Sequence, residues 1–203
     1  MTNPWSPPSD WIRITTLEAH TAGEPLRIFT GGIPPIPGDT ILEKRRFASH
    51  ELDALRTTLM WEPRGHADMY GAILTEPVTE DGDCGVLFLH NEGFSTMCGH
   101  GILGLAMAGI EAGVVPVRTE QEGDTLTLRL DTPAGRVTAF ARKGDGRVRD
   151  LNPPSEQHFA PLQTGPKRIR MSSHVVLNRL HRSPHERLVM GRKPGIRIGQ
   201  PAA

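Results

Sequence analysis

The segment His90-Asn-Glu-Gly-Phe-Ser-Thr-Met-Cys-Gly-His-Gly-Ile-Leu-Gly104 gathers a thiol, two imidazoles and four glycines. The apolar run Gly85-Val-Leu-Phe-Leu89 precedes it, and an apolar stretch from Gly99 to about Ala112 follows. Read as strand and helix, these place Cys98 at the first turn of a helix. Unpaired backbone N–H groups and the helix dipole favour anions there. Such a setting lowers a thiol's pKa and makes a carboxylate or phosphate site. Gly99 and Gly101 allow close approach of a ligand to the backbone. A thiolate beside anion-binding amides suits nucleophilic catalysis or removal of a proton next to a carboxylate.

The same residues admit other readings. Gly99-His-Gly101-Ile-Leu-Gly104 spells a dinucleotide fingerprint, with Glu120 and Asp124 about 20 residues on. No parallel βαβ unit is expected around it, because an antiparallel hairpin pattern follows the helix. Metal binding would require His90, Cys98 and His100 to converge without a recognised ligand spacing. A buried structural cysteine among packing glycines is the plain alternative. Taken alone, the motif divides evenly between structural and catalytic roles. Cys84 reads as an incidental thiol at a strand edge. Arg64, His66, Asp68 and Glu24 sit in loops where ligand contact and turn formation are equally served.

The elements that must position these groups follow from periodicity. Ile12, Ile14 and Thr16 alternate, and Leu26-Arg-Ile-Phe29 supplies a second strand beyond His20-Thr-Ala-Gly-Glu-Pro25. Thr40 and Glu43 form a capping-box pattern, and Ile41, Arg45, Ala48, Leu52, Leu55 and Leu59 predict one helix that Pro63 stops. Tyr70–Leu74 and Gly85–Leu89 read as buried strands. Residues 99–112 are apolar nearly all round, as a helix buried in the middle of a body must be. Leu126, Leu128 and Leu130, a Pro133-Ala-Gly135 turn, then Val137, Ala139 and Ala141 predict a hairpin that covers this helix.

The 203 residues balance 23 Lys+Arg against 23 Asp+Glu, but the balance is a sum of unlike parts. Residues 1–150 carry 14 basic and 21 acidic residues, or −7; residues 151–203 carry 9 and 2, or +7. The second part also holds 7 Pro and 4 His and sustains no pattern apart from a weak run at Val175–Leu180. It is read as a basic tail that cannot offset its ordering entropy alone. Its charge lacks the aromatic interleaving of a nucleic-acid binder. A mean hydropathy of −0.33 and the lack of a long apolar run argue against a membrane protein. Two cysteines and no signal-peptide pattern after Met1 point to a cytoplasmic setting.

Several motifs together resemble the proline racemase family: His20-Thr-Ala-Gly-Glu-Pro-Leu-Arg27, Lys44-Arg-Arg46, Glu62-Pro-Arg-Gly-His66, Asp68-Met-Tyr-Gly71, and Gly85 through His100. Phe88 through His100 is most similar to the trans-3-hydroxy-L-proline dehydratase branch. The resemblance covers about residues 12–150. It implies an α+β fold, one lobe of a diaminopimelate-epimerase-like body with a curved, antiparallel-rich sheet around a central apolar helix. It also implies an active site between two lobes, homodimers among full-length members, a small imino-acid substrate, and no cofactor, metal, nucleic acid or membrane.

By the same resemblance Cys98 is the base that removes the Cα proton, and Gly99 and His100 hold the substrate carboxylate. A 3-hydroxy substrate would then lose its hydroxyl and give Δ1-pyrroline-2-carboxylate. Racemases use a second Cys from the other lobe and the dehydratase a Thr; the Asp-Arg-Ser-Pro motif that announces it is missing. His181-Arg-Ser-Pro184 matches three of its letters by coincidence. The sequence is therefore expected to be a truncated chain, with one family lobe followed by a foreign tail from about residue 150. A 4-hydroxyproline epimerase, a proline racemase and a non-catalytic single lobe remain alternatives.

Overall fold

The computed structural model describes residues 6–116, 121–144, 147–152 and 172–179. Its frame is one mixed sheet. Strands β1 (Trp11–Thr21) and β2 (Glu24–Gly31) pair as a hairpin. Ala22 and Gly23 both take positive φ at its turn (54° and 103°), the geometry whose twist matches the strands. Helices α1 (Ile41–Glu51) and α2 (Asp53–Met60) follow, then β3 (Tyr70–Thr75), β4 (Cys84–His90) and the short β5 (Gly93–Ser95). Helix α3 (Gly99–Ala112) leads to β6 (Gln121–Glu122), β7 (Thr125–Thr132), β8 (Gly135–Gly144), β9 (Arg147–Asn152) and β10 (Ser172–Arg179).

The strand order is β10-β1-β2-β3-β4-β7-β8-β9, with β5 on β4 and β6 on β7. Pairing is antiparallel except at β2/β3 and β4/β7. Helix α3 touches β1 and β2 towards one end of this order and β8 and β9 at the other. A flat sheet cannot do that, so the sheet curls around the helix. Ile102, Leu105, Ala106 and Ala108 of α3 share one core with Leu26, Ile28, Phe88, Leu128, Leu130 and Ala139. Helices α1 and α2 pack on the opposite face, where Ala48, Leu55 and Leu59 meet Phe29, Ile73, Leu87 and Leu89. The α+β lobe with a central apolar helix is thus observed, and the β7–β8 hairpin does cover that helix.

Three expectations need revision. The expected single helix breaks at Leu52, whose dihedrals (φ −114°, ψ 10°) end α1 and start α2. Leu52, Leu55 and Leu59 are nonetheless all buried, as their spacing expects. The Thr40–Glu43 capping box is present with both hydrogen bonds at 3.1 Å. Parallel crossovers exist after all: β4 and β7 pair in parallel with α3 between them. Their contact is confined to Cys84↔Leu130 and Gly85↔Asp131, so local pattern does not reveal it. Cys84 lies not at an edge but inside the sheet, 3% exposed in the α3 core.

One segment of the tail is described. Ser172–Arg179 pairs antiparallel along β1, from Glu18↔Ser172 to Trp11↔Arg179. Strand addition needs an open edge of N–H and C=O groups rather than an amphipathic pattern. In addition, β9 runs through residue 150 without a break. Residues 153–171 and 180–203, including His181-Arg-Ser-Pro184, lie outside the described residues.

Leu105 is fully buried at the centre of the α3 core. Leu105→Ala should lower the unfolding free energy by about 2–5 kcal/mol. Urea denaturation reads this as a fallen midpoint, and a loss below about 1 kcal/mol would mean that α3 is not the hub described.

Candidate active site

Helix α3 emerges from its wrapping of strands at Cys98, its N-cap residue (φ −146°, ψ 105°). The Sγ atom accepts a hydrogen bond from the Gly101 N–H at 3.3 Å and is otherwise almost sealed, with Cys98 5% exposed. The N–H groups of Gly99 and His100 begin the helix and have no acceptor among the described residues. The His100 ring lies beside the thiol, both ring nitrogens 3.6 Å from Sγ. Thr21, at the end of β1, donates its hydroxyl to the His100 carbonyl at 3.0 Å and so ties the helix start to the sheet.

Glycine makes this corner possible. A Cβ on Gly101 would stand 2.8 Å from both Cys98 Sγ and the Phe88 ring. One on Gly104 would meet Leu26 at 3.0 Å and Thr21 at 3.1 Å. These glycines serve close helix–sheet packing. The dinucleotide reading fails on order as well, because β5 intervenes between β4 and α3, and the glycines lie inside the helix rather than in a strand–helix turn.

Electrostatics corrects one expectation. The helix terminus was expected to lower the Cys98 pKa, but burial dominates and pushes it up to about 11. The Gly101 N–H pulls downward and the nearby Glu24 charge adds to the rise. Burial likewise lowers the pKa of His100, against the opposing pull of Glu24 and of a hydrogen bond with the Pro25 backbone. His100 is therefore neutral at pH 7.

Tyr70, the chain's single tyrosine, stands edge-on to His100 (centroids 4.8 Å, 81° between planes) and 5.3 Å from the His90 ring. It also lines a groove of about 640 Å³ with Trp61, His66, Asp68, His90 and Glu92. Asn91 fastens the far wall. Its side-chain NH₂ donates to the Met60 and His66 carbonyls (2.8 and 2.9 Å), and its Oδ1 accepts from the Met69 N–H at 2.9 Å. The structure thus brings Cys98, Gly99, His100 and Glu24 together and sets His66 and Asp68 in the adjoining groove. Cys84 stays apart in the core. Sequence reasoning missed Tyr70 and Thr21, although each lies in a motif it had singled out.

Residues 16–160 match the family model described as proline racemase. The chain belongs to the proline racemase family. The match runs past the change in composition near residue 150. A trans-3-hydroxy-L-proline dehydratase of Bacillus thuringiensis subsp. konkukian is 51% identical over 138 residues, 68% of this chain and 40% of that relative. A 3-hydroxyproline 2-epimerase of Burkholderia multivorans is 47% identical over 145 residues, 70% of this chain and 42% of the relative. A crystal structure of a hydroxyproline epimerase from Agrobacterium vitis, with bound trans-4-OH-L-proline, superposes with a TM-score of 0.62 at 25% identity. It covers 69% of this chain and 40% of that one. The chain therefore spans about 40% of the length of these proline racemase family relatives.

Two measurements check this site. Alkylation of Cys98 by iodoacetamide, located by peptide mass spectrometry, should keep accelerating above pH 10 and be half-maximal near pH 11. A plateau by pH 9 would contradict the dominance of burial. Asn91→Ala should cost about 1–3 kcal/mol of unfolding free energy through the groups it leaves unpaired. An unchanged urea midpoint would show that it does not hold the groove wall.

Proposed function

We propose that this lobe belongs to a cofactor-independent dehydratase of trans-3-hydroxy-L-proline, with Cys98 removing the Cα proton. The observation that carries the reading is Cys98 as N-cap of α3, its sulfur beside His100 and two N–H groups that have no acceptor among the described residues. Those N–H groups and the helix dipole are suited to a carboxylate, which would bring an amino acid's Cα towards the sulfur. The Cα–H of an amino acid is a very weak acid, so a strong base is required. A thiolate desolvated to a pKa of about 11 is such a base. The cost is scarcity: at pH 8 roughly one thiol in a thousand is ionised, each pKa unit being tenfold. Preorganised donors offset it by stabilising the charge that develops on the carboxylate. Loss of the 3-hydroxyl from the carbanion gives an enamine that tautomerises to Δ1-pyrroline-2-carboxylate.

Identity does not choose the branch, because relatives named dehydratase and epimerase stand at 51% and 47%. An epimerase remains the second reading, supported by those names and by the hydroxyproline epimerase fold match. A two-lobed site would take its second acid–base group from sequence beyond this lobe. Purified chain incubated with trans-3-hydroxy-L-proline should form the pyrroline product, and Cys98→Ala should lose at least about 100-fold of that rate, the lower range for a lost general base. Cα deuterium exchange without product would favour the epimerase. No turnover above the Cys98→Ala background would overturn activity in this chain.

A further inference from the structure

We propose that the Tyr70 hydroxyl is the acid that protonates the departing 3-hydroxyl, an inference that rests on the dehydratase reading. The stereochemistry of the substrate sets the requirement. In trans-3-hydroxy-L-proline the hydroxyl lies on the ring face opposite the carboxylate, and therefore on the same face as the Cα hydrogen. The base and the acid must approach from one side. With Cys98 as base, the proton donor has to stand on Cys98's side of the ring, so the groups around Cys98 are the candidates.

The groups close to Cys98 are few. Glu24 is an exposed residue at the β1–β2 turn, and the His100 ring is already engaged with the thiol and with the Pro25 backbone. Tyr70 stands beside His100, the two ring centroids 4.8 Å apart, and its hydroxyl has no hydrogen-bond partner among the described residues. Burial, then the charges of Cys98, Glu24 and Glu92, raise its pKa, which favours the phenol over the phenolate. Proton transfer from phenol to a leaving hydroxide is still downhill by several pKa units. Tyr70 also forms part of the wall of the 640 Å³ groove, which gives the released water a way out.

The step balances. Cys98 thiolate takes the Cα proton, and the C–H electron pair forms the Cα=Cβ bond. The C3–O bond breaks with its pair on oxygen, which takes the phenolic proton and leaves as water. One proton then passes from the Cys98 thiol, by way of the water formed in the step, to the Tyr70 phenolate, restoring both groups.

The test compares trans-3-hydroxy-L-proline with trans-3-fluoro-L-proline in D₂O, following pyrroline formation and Cα deuteration. Fluoride departs without a strong acid, so Tyr70→Phe should change the fluoro-to-hydroxy rate ratio by about 100-fold or more. Deuterium should continue to enter the hydroxy substrate in the variant. Equal losses on both substrates, or no loss on either, would overturn the role of Tyr70 and leave the dehydratase reading standing. Wild-type protein that exchanges deuterium without elimination would overturn that reading itself. Protein inert towards both substrates would remove the two together.

Discussion

Helix α3 has no polar face, and this single constraint shapes the lobe. An apolar rod cannot rest on one sheet with its back to water, so the strands must surround it. The curl that brings β1 and β2 to one flank and β8 and β9 to the other answers that demand. The two helices that do have polar faces are left to cover the outer side of the sheet. Wrapping a helix along its length leaves its ends as the places where backbone polar groups meet the outside. The Cys98 thiol sits at one of them.

That placement explains the tension in the chemistry. The terminus offers N–H donors, which favour a thiolate, while the packing that holds the terminus in place excludes water, which disfavours it. Burial wins in the lone lobe. The result is a thiol that is seldom ionised but strongly basic when it is, a useful balance against a carbon acid and a poor one for a nucleophile working at pH 7.

Legibility in the sequence followed the range of the interactions. The Thr40 capping box, the β7–β8 hairpin and the all-apolar α3 are local patterns, and each is found where the residues point. The break at Leu52, the parallel pairing at Cys84↔Leu130 and the strand added at Ser172–Arg179 depend on distant partners. At that last point composition carries no signal, since an open strand edge accepts a backbone whatever its side chains. In the site, Cys98, Gly99 and His100 were readable because they are consecutive. Tyr70 meets His100 only after β3 is laid beside β4, and Thr21 meets it only after α3 folds back over the β1–β2 hairpin. Desolvation of the thiol is likewise a product of packing, which is why the dipole argument alone gave the wrong sign.

Cysteine is an unusual choice for a helix cap, where serine, threonine, aspartate and asparagine hold the terminus better. The sulfur of Cys98 accepts from Gly101 at 3.3 Å where a hydroxyl or carboxylate would bond more strongly. A lineage that had ceased to use this site would gain stability by a single nucleotide change from cysteine to serine. With Cys98 as the proposed base, residue 98 becomes a marker of use: among descendants of this lobe, those that have drifted to serine should be those released from that chemistry.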